Sequence, residues 1–108
     1  MAEQGLVHGP LGENCLHLCV DMQRLFAPGG PWAVPWAPKV LPAIVELTSR
    51  HAERTLFTRF IPAAEPGRGP GSWARYYRRW AEVTLSRIDN SLVDLMPELA
   101  RFVPPAKL

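Results

Sequence analysis

The run Cys15-Leu16-His17-Leu18-Cys19-Val20 carries no charge and stops abruptly on a carboxylate, Asp21. Short, almost wholly apolar runs ended by a polar residue read as buried strands, so we assign a first strand to residues 14–20. A loop over 22–36 follows, with Gly29-Gly30-Pro31-Trp32 and Pro35-Trp36 in it. In a parallel α/β sheet, ligands bind just beyond the carboxyl ends of the strands. An acid at that place, on a backbone held by the strand, is a candidate for chemistry.

The residues that follow turn this strand into an α/β unit. A helix is predicted from about Pro38 to His51, with Val40, Leu41, Ile44, Val45 and Leu47 on one face. Pro38 suits its first turn, and Pro42 still lies near its start. Arg54 to Phe60 has the β-branched and aromatic content of a second strand. Strand, helix and strand with short connections make a right-handed crossover, so the two strands should be parallel.

A Pro/Gly loop at 61–71 leads to Ser72, which can cap a helix running to about Leu85 with Trp73, Tyr76, Tyr77, Trp80 and Val83 on its apolar stripe. Asp89, Asn90 or Ser91 can cap a short helix carrying Leu92, Leu95 and Met96, and Pro97 begins a further turn with Leu99 and Phe102. Ala106-Lys107-Leu108 reads as the lead-in to a third strand. Residues 1–13 read as a loose leader and 14–108 as part of one domain. Two strands rarely stand alone, and parallel sheets normally have both faces covered. The expectation is therefore the amino-terminal part of a larger α/β domain, truncated before its third strand. The alternative is a small α+β domain complete as written.

Bulk properties narrow the function classes. With 108 residues, 47% hydrophobic and 20% charged, the composition is that of one globular domain at most. A formal net charge of +2 is too small to argue for a nucleic-acid partner. The apolar runs fall short of the roughly 20 residues a membrane span needs, and the first residues do not form a signal peptide. The expected location is cytoplasmic. Cys15 and Cys19 lie about 13 Å apart on one strand face, too far to bridge, which fits a reducing compartment. Cys15, His17 and Cys19 at strand spacing suit packing better than metal ligation. The stretch from Trp73 to Trp80, with Arg75, Arg78 and Arg79, fits an amphipathic helix with a solvated basic face better than a single-strand binding surface. Gly29-Gly30 is a turn signal without a phosphate-binding pattern. Trp32 and Trp36, directly after Asp21, suit either a substrate pocket wall or a cover over the core or a dimer contact.

Taken in order, four segments resemble the isochorismatase-like cysteine hydrolases: Asp21-Met22-Gln23 with Phe26 soon after; the helix Lys39-Val40-Leu41-Pro42-Ala43-Ile44-Val45-Glu46-Leu47; the strand with Phe57-Thr58-Arg59; and Asp94-Leu95-Met96-Pro97-Glu98-Leu99. The resemblance covers about residues 15–105. It implies a three-layer α/β/α, Rossmann-like fold with parallel strands and an Asp–Lys–Cys triad that hydrolyses an amide-type or related small substrate through a covalent acyl intermediate. Of the triad only Asp21 carries over. Phe26, Trp32 and Trp36 become substrate-pocket candidates. Lys107, two residues beyond Pro105, comes a few positions early for the family's lysine, and the family's nucleophilic cysteine lies later than residue 108. The stretch Arg59 to Gly67 contains no His and one carboxylate, Glu65, so neither a nicotinamidase-type metal site nor a cofactor is expected. The resemblance implies a small-molecule substrate as partner and leaves a homo-oligomer open, with no nucleic acid and no membrane. The 108 residues alone should lack hydrolase activity. The non-enzymatic alternative is a shortened relative acting as a subunit or protein-binding module.

Overall fold

A computed structural model describes residues 5–108. Strand β1 is His17–Cys19 and strand β2 is Thr55–Phe57, joined by helix α1, Ala37–His51. The strands pair in parallel, His17 against Thr55, Leu18 against Leu56 and Cys19 against Phe57. Both are shorter than the apolar runs that predict them. Their hydrogen bonding continues one step further, from the Thr58 N–H to the Cys19 carbonyl (3.0 Å) and from the Asp21 N–H to the Thr58 carbonyl (3.3 Å).

The far edge of β2 is occupied as well. The Lys107 N–H donates to the Thr55 carbonyl (3.0 Å), and the Phe57 N–H donates to the Lys107 carbonyl (2.7 Å). Lys107 thus bridges Leu56 in parallel. The segment read as a lead-in to a third strand already sits in that strand's place. The domain is a small α/β unit with parallel strands and three helices.

Helices cover one face of this sheet. Cys19 and Phe57 point into a core with Leu95, Leu99 and Ala106, against which Leu41, Ile44 and Val45 of α1 pack. Leu99 comes from helix α3, Pro97–Ala100, where Pro97 stands in the first turn as expected. The buried line of α1 runs through Ala37, Leu41, Ile44/Val45 and Thr48, leaving Val40 and Leu47 at its exposed margins. On the opposite sheet face Leu16, Leu18, Val20 and Leu56 are open to solvent. The radius of gyration is 16.7 Å, against about 13 Å for a close-packed domain of this length.

Two elements differ from the sequence expectation, each because tertiary contacts capture the backbone. Helix α2 is Trp73–Arg79 and does not reach Leu85. The N–H groups of Leu85 and Ser86 donate to the carbonyls of Ala63 and Ala64 (3.0 and 2.8 Å), which pulls the chain out of helical register after Trp80. Ser72 precedes α2 but makes no side-chain cap. Asp89 does cap, accepting from the Ser91 N–H at 2.9 Å, but the turn it starts ends at Val93. Leu95 and Met96 are extended, not helical, because this segment pairs antiparallel with Gln23. The Arg24 N–H donates to the Asp94 carbonyl (2.9 Å), and the Met96 N–H to the Met22 carbonyl (3.0 Å).

Gln23 is fully buried and holds these pieces together. Its Nε2 donates to the carbonyls of Phe60 (2.9 Å) and Val93 (2.6 Å), and its Oε1 accepts from the Phe60 N–H (2.7 Å). Every polar atom of the amide is used. Gln23→Met keeps the volume but leaves three backbone groups unpaired, at roughly 1–3 kcal/mol for each one buried. We expect a loss of about 3 kcal/mol or more in urea unfolding, a large part of the stability of a domain this size.

Thr48 shows the reverse situation. Its hydroxyl is buried in α1 with no hydrogen-bond partner. Thr48→Val removes the unsatisfied group at nearly constant shape. It should stabilise by about 1 kcal/mol, raising the melting temperature by roughly 4–8 °C, as read by differential scanning calorimetry.

Candidate functional site

Beyond β1 the chain must leave the sheet within two residues to deliver Gln23 to its buried position. Asp21 makes that turn. It is the one non-glycine among the described residues with a positive φ, 58°. Asp tolerates the left-handed region better than most residues, and its surroundings hold it there. The Asp21 N–H reaches both the carbonyl and the hydroxyl oxygen of Thr58 (3.3 and 3.2 Å), while the Thr58 hydroxyl donates to Asp21 Oδ1 (3.2 Å). Thr58 follows β2 directly. The ends of two parallel strands therefore fix one carboxylate, with one oxygen engaged by a neutral hydroxyl. Arg59, next in sequence, turns instead to Asp94 at 3.4 Å on the surface, a contact worth little in water.

Asp21 lies on the wall of a cavity of about 340 Å³ shared with Met22, Phe26, Val34, Trp36, Ala37 and Val40. Apart from the carboxylate the lining side chains are apolar. The hollow is open to solvent, since Val34, Trp36 and Val40 on its rim are themselves exposed. The structure thus brings together Asp21, Phe26 and Trp36 among the predicted site residues. Lys39, which sequence reasoning did not single out, places its Nζ 4.5 Å from the Trp36 ring centroid. It is the first-turn lysine of α1 and does not itself line the cavity.

Trp32 stands elsewhere. Its ring is the hub of an aromatic cluster, 6.3 Å from Phe26, 6.1 Å from Phe60, 6.4 Å from Tyr76 and 5.8 Å from Trp80. Through these contacts it ties the loop after β1 to Tyr76 of α2 and to Trp80. The Gly29-Gly30 turn makes this possible. Gly29 has φ 86°, and a Cβ on Gly30 would lie 2.4 Å from the Leu25 carbonyl oxygen.

The two thiols do not approach Asp21's cavity. Cys19 is buried in the core, where desolvation pushes its pKa up and keeps it protonated at neutral pH. Cys15 borders a separate cavity of about 350 Å³ on the outer side of β1, with Leu11, Leu16, His17, Leu47, His51 and Arg54. Lys107 pairs at the level of Leu56, two residues short of Thr58, and its side chain is exposed. A larger cavity, about 420 Å³, lies between the Gly29-Gly30 turn and the start of α3 and holds Arg24 and Glu98 but no nucleophile. Among the described residues no three His, Cys, Asp or Glu side chains gather as a metal set. No helix among them is long and apolar enough to cross a membrane.

His17 has a defined protonation pattern. The Thr55 hydroxyl donates its hydrogen to the His51 carbonyl (2.9 Å), so His17 Nδ1, 3.1 Å from the same oxygen, is the donor and Nε2 is the acceptor. Burial, and secondarily the neighbouring His51, lower its pKa below the ordinary 6.5. The unfolded chain binds the proton more readily, so the stability from neutral His17 is complete above about pH 6.5 and is lost as pH falls through the folded value. Melting temperatures should drop between pH 7 and 5, and His17→Gln should flatten that part of the profile.

No protein-family model, curated protein or solved structure matches this chain. The functional reading accordingly rests on the residues and geometry above.

Proposed function

We propose that this chain carries the carboxylate part of an isochorismatase-like cysteine hydrolase site, with Asp21 as the proton acceptor. One observation supports this most: a single carboxylate at the carboxyl end of β1, held by Thr58 at the end of parallel β2, in a residue that borders an apolar hollow. In this reading a cysteine thiol from a segment outside residues 1–108 gives its proton to the Asp21 oxygen that Thr58 leaves free. The thiolate attacks the carbonyl carbon of a small amide-type substrate, the amine leaves with a proton, and water hydrolyses the thioester. Phe26 and Trp36 would bound the acyl group. The three-layer α/β/α arrangement belongs to the same reading, with a second helical layer over the open sheet face. So does a cytosolic setting with reduced thiols.

The test is the longest reading frame that contains these residues. It should encode a strand bearing a lysine and a helix start bearing a cysteine. The expressed protein should hydrolyse members of a panel of small amides. Asp21→Asn should lower kcat/KM by about 10²–10⁴, the range for removing a general base. The 108 residues alone should turn over none of them. A frame without such a cysteine, or an Asp21→Asn enzyme within tenfold of the parent, ends this reading.

A second reading, a non-catalytic subunit or binding module, is favoured by a specific observation. Neither thiol of this chain lines the Asp21 cavity, while an apolar sheet face stands open.

A further inference from the structure

The outer edge of β1 is a complete, unpaired template for another strand. Cys19 and Asp21 turn their backbone groups toward β2, through the bonds to Thr58 at 3.0 and 3.3 Å. Strand alternation then directs the N–H and C=O groups of Leu16, Leu18 and Val20 to the opposite edge. Among the described residues no strand pairs there. The side chains of the same residues lie on the open face, 73%, 57% and 57% exposed, beside Leu56 at 39%.

Folded proteins usually blunt such an edge with lysine, proline, a bulge or an inward charge. Residues 15–20 contain no Lys, Arg, Asp, Glu or Pro. A row of free donors and acceptors selects an extended chain as its partner. The residues themselves indicate which one. A second β1, antiparallel and with the two-fold axis at Leu18, sets Leu18 against Leu18 and Leu16 against Val20. Each of these outward-facing pairs exchanges both backbone hydrogen bonds. His17 then meets Cys19, and no like charges are opposed within the run. Shifting the axis to His17 sets Leu16 against Leu18, but faces Val20 with the polar Asn14 and one imidazole with the other. The register on Leu18 alone matches every exposed apolar side chain of the strand.

We propose that this chain self-associates through β1, forming an isologous antiparallel junction and one continuous sheet in the order β2-β1-β1-β2. Pairing at the edge covers the backbone groups and the flanks of Leu16, Leu18 and Val20 but leaves the sheet face open, so the interface falls below the roughly 1,000 Å² of specific stable pairs. The dimer is therefore reversible and concentration-dependent. This inference rests on the open edge alone and is independent of any role for Asp21.

Sedimentation equilibrium of the 108-residue chain from about 5 to 500 μM tests it. The expected mass rises from that of one chain, 12.1 kDa, toward twice that value. Leu18→Lys alters an exposed position, so it should keep the far-UV circular dichroism and remain monomeric throughout. Leu18→Cys should oxidise to a covalent dimer whose linkage, mapped on peptides, joins the two substituted positions. Amide exchange at Leu16, Leu18 and Val20 should be slow in the concentrated parent and fast in Leu18→Lys. A parent that stays monomeric at 500 μM would refute the proposal. So would a Leu18→Lys chain that dimerises like the parent, or cross-links confined to Cys15.

Discussion

One buried amide organises the carboxyl edge of this sheet. Gln23 closes hydrogen bonds with both backbone groups of Phe60 and with the carbonyl of Val93. It thereby joins the exits of both strands to a segment some seventy residues away in sequence. The amide is buried completely, which is tolerable only because each of its polar atoms has a partner. Asp21 lies two residues before Gln23 and Thr58 two residues before Phe60. The geometry of the carboxylate is a consequence of this joint. The positive φ at Asp21 is the turn that lets the side chain of Gln23 point inward.

The second organising fact is that the sheet has one dressed face and one bare one. Helices α1 and α3 pack over Cys19 and Phe57. Leu16, Leu18, Val20 and Leu56 receive nothing in return. Water-exposed leucines on a strand whose outer edge is also free combine two separate drives toward association, apolar burial and backbone pairing. The same strand thus serves two distinct places. Its carboxyl end holds an oriented acid beside an apolar hollow, and its outer edge carries backbone groups that no strand pairs among the described residues.

Much of the fold could be read along the chain, and the failures share a cause. The apolar run before Asp21, the stripe of α1 and the aromatic β2 are local patterns that marked the elements, and the short crossover made the strands parallel, but the run read as a buried strand is buried on one face only, with Leu16, Leu18 and Val20 exposed on the other. The position of Pro97 at a helix start was equally local. The extent of α2 and the conformation of Leu95-Met96 were not, because backbone groups of Ala63, Ala64 and Met22 compete there with helical hydrogen bonding. Trp36 and Phe26 fell beside Asp21 as their sequence proximity suggests, whereas Trp32, in the same loop, was drawn off by Phe60, Tyr76 and Trp80. Only the glycine pair ahead of it hinted at so tight a turn.

What the amino-acid order determined by itself is the alternation of elements and the acid placed where a strand ends, since periodicity and turn chemistry act over a few residues. The tertiary structure decided which groups meet. It paired Lys107 with the edge of β2, engaged the acid through Thr58 and placed Cys15 and Cys19 away from its cavity. These outcomes depend on contacts between residues distant in sequence, where burial and hydrogen-bond satisfaction outweigh local preference.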